Sequence, residues 1–304
     1  METITPRSTN GIPAEKLDLN SNNDSKQQII YTRDHFHTEF DTNAYLTDFY
    51  TKIEDPAMQL VLTFLPSIVA RLPQRKRLAD FDPAMQLVLT FLPSIVARLP
   101  PRKRLADFGA GPTIHVAACF RNHVDEIYLA DYLPQNREEL QRWKNGESKF
   151  DWGAALRMML TREGKDWSKV AETEAETRAK VFDIFYANCF EQPSIQCGKD
   201  LEGKFDIITS FFTMEYCCNT KDEYQTAIKN VVEQVIPGGY FIMGGILEET
   251  WCSFGGRKFT CLFITKEFML DCLREAGCLV DDEKTCYLLE VNGMFLVCAK
   301  KAEN

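Results

Sequence analysis

Residues 102–132, RKRLADFGAGPTIHVAACFRNHVDEIYLADY, constrain the fold more than any other stretch of the chain. Residues 105–108 (LADF) read as a short buried strand. Gly109-Ala110-Gly111-Pro112-Thr113 is a tight turn, and residues 114–120 are apolar enough to begin a helix packed on that strand. Residues 126–130 read as a second strand, ending on Asp131. Strand, glycine turn, helix, strand and terminal acid form the half-unit that binds a nucleoside at the carboxyl edge of a parallel sheet. The glycines let backbone N–H groups approach the ligand, and the acid accepts hydrogen bonds from ribose hydroxyls.

The rest of the chain continues the alternation. Helical, charged sequence is expected at 137–144 and at 154–183, with a strand or its lead-in at 180–186. FDIITSF at 205–211 has the continuous apolar character of a buried parallel strand. An amphipathic helix at 223–235 is closed by Pro237-Gly238-Gly239. A strand follows at 240–244, a helix at 266–276, and a hairpin of 285–291 with 294–300 across Asn292-Gly293. The order predicts an α/β fold: a doubly wound, mostly parallel seven-stranded sheet with an antiparallel C-terminal hairpin.

The ligand is expected not to be a dinucleotide. That pattern requires a third glycine where this chain has Ile114. A nucleoside without a pyrophosphate fits better, and S-adenosylmethionine is the candidate. A chain of 304 residues with 45% apolar content can build one large domain. Its net charge of −9 argues against nucleic acid as a partner, since phosphate binding needs clustered Lys and Arg. No uninterrupted apolar run has membrane-spanning length. Residues 1–10 lack the apolar core of a secretory signal, so the cytosol is expected. The eleven cysteines are scattered, without a C-x-x-C pair, and are read as reduced thiols. No metal site is expected, either at Cys217-Cys218 or at His35 and His37.

Residues 1–28 are polar and rich in Asn, Ser and Pro, the composition of a disordered tail. From Ile29 the chain turns aromatic, and Phe36, Phe40, Tyr45 and Phe49 fall roughly on one helical stripe. Such rings either staple an N-terminal helix to the core or cover a site. Then comes a tandem repeat of 27 residues: 55–81 and 82–108 are identical except for Gln74 against Pro101. Genuine repeat architectures have three or more diverged units. Each copy encodes one helix and the first strand, but only the second runs into Gly109-Ala110-Gly111. We therefore assign the central strand to 105–108 and treat 55–81 as surplus. From the sequence, the surplus could misplace the segment before it, expose a helix or loop out.

DFGAGPTIH, ADYLPQN at 130–136 and FDW at 150–152 resemble the small-molecule N-methyltransferases that act on nicotinamide, phenylethanolamine and indolethylamine. IPGGYFIMGGILEETW at 236–251 and NGMFLVCAKK at 292–301 extend the resemblance, which covers most of the chain in the family's order. It implies a Rossmann-like methyltransferase domain over 29–301, with 29–54 as an N-terminal helical lid, acting as a monomer. It implies cofactor contacts from Tyr45 and Tyr50 to the methionine carboxylate end of S-adenosylmethionine. Gly109, Gly111 and Thr113 would receive its methionine part, Asp131 its ribose, and Tyr132 and Asn136 would flank the adenosine; His115, which replaces a common tyrosine of the family, is a further cofactor-binding position. Asn188 and Cys189 stand where the family has Asp-Val, so Asn188 would accept from the adenine amino group through its carbonyl oxygen. Phe36 and Phe212 would border the substrate.

In-line methyl transfer to an amine needs carboxylates that hold the nitrogen and take its proton. The resemblance places Glu215 and Glu249 in that role, as catalytic and substrate-binding residues. Glu290 lies near a third acidic position. The nicotinamide branch has aspartates at the Glu215 and Gly245 positions and a serine at Cys261. The implied function is methylation of a small aromatic or arylalkyl amine. Nicotinamide methylation, or a cofactor-binding but catalytically weak relative, are the alternatives.

Overall fold

The computed structural model describes residues 30–50, 83–291 and 293–303. The expected tail (1–28) and the first copy of the repeat (55–81) lie outside the described residues. The second copy supplies the Pro83–Val96 helix, which buries Val88, Leu89, Leu92 and Ile95. It then supplies strand β2, Arg102–Phe108, after β1 at Ile30–Tyr31. The sheet is completed by β3 (Val124–Asp131), β4 (Val181–Tyr186), β5 (Phe205–Phe211) and β6 (Val235–Ile246). β7 (Trp251–Phe254), β8 (Arg257–Thr260), β9 (Cys278–Leu279), β10 (Cys286–Val291) and β11 (Met294–Lys301) follow.

The main sheet runs β10-β11-β6-β5-β2-β3-β4. The strands from β2 to β6 pair in parallel, and β11 and β10 close one side antiparallel. The seven expected strands and the terminal hairpin are present, with Gly293 at φ +80° in the turn. Alternation along each strand fills both faces. Leu105, Ile127, Leu129, Ile207 and Leu296 belong to one apolar cluster; Ala106, Tyr128, Ile208, Phe241 and Phe295 belong to the other. Strand order reverses between β2 and β5, which puts the turn after β2 at the switch point where such sheets bind ligands.

Four features differ from expectation. The stretch 154–183 is not one helix but two, Gly153–Arg162 and Val170–Lys180, and β4 begins directly after the second. Gly164 at φ +68° ends the first, and a short 3-10 turn at Trp167–Lys169 leads into the second. β6 begins before Tyr240 and absorbs Pro237-Gly238-Gly239 through a register shift against β5. β9 adds an eighth short strand beside β11. Finally, β1, β8 and β7 form a separate three-stranded sheet, with Ile30 opposite Lys258 and Tyr31 opposite Phe259.

The glycines of the turn are not equivalent. Gly109 sits at φ +71°, and a Cβ there would lie 2.3 Å from Thr213 Oγ1. Gly111 sits at φ +59°, but its nearest neighbour would be Thr113 Cγ2 at 3.8 Å. Gly111→Ala should therefore cost only the left-handed backbone strain, about 1–2 kcal/mol. Gly109→Ala should lower the Tm clearly further, because it adds a steric collision between β2 and the loop after β5. Equal losses in thermal unfolding would contradict this account of the turn.

Candidate active site

The turn after β2 is tied to the end of β3. Gly109 and Ala110 N–H both donate to the Ala130 carbonyl, at 2.8 and 3.0 Å. Asp131 is buried and accepts three hydrogen bonds: Gly111 N–H on Oδ2 at 2.8 Å, then Leu133 N–H at 2.8 Å and Asn136 Nδ2 at 3.1 Å on Oδ1. Burial pushes its pKa up and these bonds pull the other way, leaving it above the ordinary value. A carboxylate has about four acceptor positions, so Asp131 retains capacity for a ribose hydroxyl. Thr113 closes the turn by donating to the Ala110 carbonyl at 2.7 Å.

The aromatic segment lies over this edge as two helices, Phe36–Glu39 and Thr42–Tyr50, because Phe40 is extended (φ −76°, ψ 107°). The single stripe is thus broken, yet the rings still meet in a chain. Phe36–Phe40, Phe40–Tyr45 and Tyr45–Phe49 centroids are 6.2, 5.2 and 4.6 Å apart. Thr42 Oγ1 donates to Asn136 Oδ1 at 3.1 Å, which links the segment to Asp131. Tyr50 is buried against Trp152, and its hydroxyl lies 3.0 Å from His115 Nδ1. His115 is fully buried, its pKa is lowered to about 3 by desolvation, and its Nε2 has no hydrogen-bond partner. Tyr132 is exposed between the rings of His37 and Tyr186.

At the adenosine side, Asn188 is already engaged. Its Oδ1 accepts from Phe190 N–H at 3.0 Å, and its Nδ2 donates to Glu191 Oε1 at 3.0 Å. The expected acceptor therefore has one oxygen lone pair committed to its own loop. Cys189 is buried, and its carbonyl accepts from Asn230 Nδ2 at 2.8 Å.

The loops after β5 and β6 carry the two candidate acids. Phe212, half-buried, holds a left-handed conformation (φ 49°), an uncommon state for an aromatic residue. Glu215 follows in the Met214–Cys217 helix and is 1% exposed. Its Oε1 accepts from Ile246 N–H at 3.0 Å, while its Oε2 is buried without a hydrogen-bond partner. Desolvation pushes its pKa up to about 7. Gly245 makes room for it, since a Cβ there would lie 2.7 Å from Glu215 Oε1. Glu249 is half-buried just before β7. Burial pushes the Cys261 thiol up, and the charges of Glu215, Cys252 and Glu249 add to it in that order. Phe36 packs on Phe259 of β8, 5.2 Å between centroids. Glu290 instead faces Lys266 at the surface, 3.3 Å away.

The NNMT/PNMT/TEMT family model matches residues 27–81 and 75–302, nearly the whole chain in two pieces that overlap at the end of the repeat's first copy. The chain belongs to this family. A nicotinamide N-methyltransferase of Caenorhabditis elegans is 30% identical over 86% of this chain and 89% of its own length. An indolethylamine N-methyltransferase of Mus musculus is 32% identical, over 57% of this chain and 64% of its own. A human phenylethanolamine N-methyltransferase is 26% identical over 64% of this chain and 71% of its own. Membership in the NNMT/PNMT/TEMT family makes the chain an S-adenosylmethionine-dependent N-methyltransferase.

Residues that this family member uses to build its edge, but that the motifs did not single out, are Asp107, Thr209, Thr213 and Thr42. Asp107 is the penultimate residue of β2, two residues before Gly109; it is fully buried and accepts from Thr209 Oγ1 at 2.7 Å. Burial, and secondarily the charge of Asp131, push its pKa up to about 7. Its place beside the glycine turn was the available signal, masked because it reads as an ordinary strand residue. Among the described residues no group of acids, histidines and cysteines is placed to hold a metal ion, and no helix is long and apolar enough to cross a membrane. A surface depression of about 360 Å³ at Arg102, His123 and Lys180 lies at the amino ends of β2 and β3, the wrong edge for the chemistry.

The buried acids give the free protein a pH dependence. Glu215 and Asp107 keep their protons to about 7 when folded but release them in the ordinary carboxylate range when unfolded. Between those limits the folded state binds more protons, so stability falls as pH rises. Glu215→Gln, whose amide oxygen can still accept from Ile246 N–H, should flatten this slope. It should also stabilise the unliganded chain by about 1–3 kcal/mol near pH 8. Thermal unfolding from acid to mildly alkaline pH measures both, and a variant that merely tracks the wild type would refute the assignment.

Proposed function

We propose that this enzyme methylates a small aromatic or arylalkyl amine. The observation that carries the reading is the buried Oε2 of Glu215, which lacks a hydrogen-bond donor. An ammonium N–H is the donor this oxygen is missing, and its charge would favour the ionised carboxylate. Glu249, from the neighbouring loop, takes the proton of the amine directly or through water and leaves the lone pair free. Phe36 and Phe212 border the aromatic part of the substrate.

The residues present fit the sulfonium cofactor. Gly109, Gly111, Thr113 and His115 would hold its methionine end, with Tyr45 and Tyr50 above. Asp131 would take the ribose hydroxyls, with Tyr132, Asn136, Asn188 and Cys189 around the adenosine. When bound, the cofactor supplies a methyl group already activated for displacement, the bonding pair staying on sulfur. Alignment and exclusion of water are then the protein's main task, and the aromatic segment over the edge serves it. The sulfonium and an ammonium are both cationic, and ionisation of Glu215 on amine binding would supply the opposite charge beside the nitrogen.

The Caenorhabditis elegans relative favours nicotinamide as a second reading. Glu215 with an unsubstituted Gly245 favours the charged amine instead. The second copy of the repeat supplies the packed helix and the central strand, which supports treating 55–81 as surplus to a single domain of 29–301. The eleven free thiols support a reducing compartment, the cytosol.

Methyl-labelled S-adenosylmethionine should be tested with arylethylamines and nicotinamide, using the full chain and a chain lacking 55–81. Both should transfer label to an arylethylamine. Transfer to nicotinamide alone would select the second reading, and cofactor binding without any transfer would sink the amine assignment. Asp131→Ala should abolish cofactor binding. Glu249→Gln should cut turnover by about a hundredfold with cofactor affinity intact, and unchanged turnover with every accepted amine would remove Glu249 from its role.

A further inference from the structure

Arg33 follows β1 and precedes the aromatic helices, and it reaches away from its own segment. Its Nη1 and Nη2 donate to the two carboxylate oxygens of Glu223, at 2.9 and 3.2 Å. Nη1 also donates to the Cys217 carbonyl at 2.8 Å, and the guanidinium carbon lies 5.1 Å from the Phe190 ring centroid. Each partner belongs to an element beside the site. Cys217 ends the helix that carries Glu215, Glu223 lies in the first turn of the Lys221–Val232 helix, and Phe190 follows Asn188 and Cys189.

This is more than a loose surface pair. The planar guanidinium meets the carboxylate at both oxygens, and both side chains are about two-thirds buried, at 28% and 32% exposure. The carboxylate is held in advance by Asn219 N–H, which donates to Glu223 Oε2 at 2.7 Å. Thr42 and Tyr50 tie the segment to Asn136 and His115, and further anchors reach the small sheet. β1 pairs with β8, Asp48 accepts from Gly255 N–H at 2.7 Å, and Glu39 lies 3.4 Å from Arg257. Those contacts fasten the segment to the small β1-β8-β7 sheet, whereas Arg33 fastens it to the loops after β4 and β5.

We propose that Arg33 is a positioning residue for methyl transfer, latching the aromatic segment onto the adenosine-side and amine-side loops through Glu223. The proposal rests on the site reading given above. Closing both loops under one segment holds Tyr45, Tyr50 and Thr42 in place over the cofactor side of the edge. Release of the latch opens the way for the spent cofactor to leave.

The test compares full-length wild type with Arg33→Ala, Glu223→Gln, their double variant and Arg33→Lys. Hydrogen exchange of amides 36–50 is read in the free protein, and the Kd for S-adenosylhomocysteine is read by calorimetry. Arg33→Ala should speed exchange in the segment and weaken the S-adenosylhomocysteine complex about tenfold. Its Tm should stay within about 2 °C of the wild type. The double variant should be no worse than the weaker single, and Arg33→Lys should recover part of the loss. Unchanged exchange and affinity in Arg33→Ala, or single effects that simply add, would overturn the latch. If the wild type does not bind S-adenosylhomocysteine, the cofactor reading fails, and the exchange comparison still decides whether Arg33 holds the segment.

Discussion

The carboxylate of Asp131 accepts from the amide of Gly111, the amide of Leu133 and the side chain of Asn136, which in turn accepts from Thr42. One buried acid therefore sets the shape of the glycine turn, the exit of β3, the start of the next helix and the seat of the aromatic segment. Losing that acid would leave several donors unanswered at once, and unmet buried donors are costly. The working edge depends on this knot. The sheet beneath it supplies position, and the knot supplies geometry.

Electrostatics complete the picture. Asp107 and Glu215 are buried near the same edge, and each is raised by desolvation to about 7. The free protein thus carries two desolvated acids, and under the proposed function it is Glu215 that an ammonium would relieve. This is the usual relation between stability and function at active sites, where local rules of burial are broken for the sake of the ligand. His115 departs in the same sense. It is a buried imidazole held at one nitrogen by Tyr50, with the other nitrogen unanswered.

Much of this was legible in the chain. The strand, glycine turn and following strand appear where the pattern put them, because they are local: each depends on residues within one βαβ unit. The hairpin at Gly293 was equally local. The small β1-β8-β7 sheet was not legible, since its strands are two to four residues long and pair Ile30 with Lys258 across most of the sequence. No period emerges from so few residues. Arg33 was hidden for the same reason: its partners, Cys217 and Glu223, are 184 and 190 residues away. The break at Gly164 was a local signal, but the helical pattern on both sides of it outweighed one glycine. Glu215 and Glu249 were placed by resemblance and strand-end position, whereas the burial of one and the partial exposure of the other required the fold.

Gly245 carries a consequence of its own. Its missing side chain and the length of Glu215 share one small volume, bounded on the far side by Phe295. A methyl group added to the strand must be taken from the acid, and a methylene removed from the acid leaves a void beside the strand. The two positions behave as a single compartment divided by a movable partition. Neither position is therefore free to change alone.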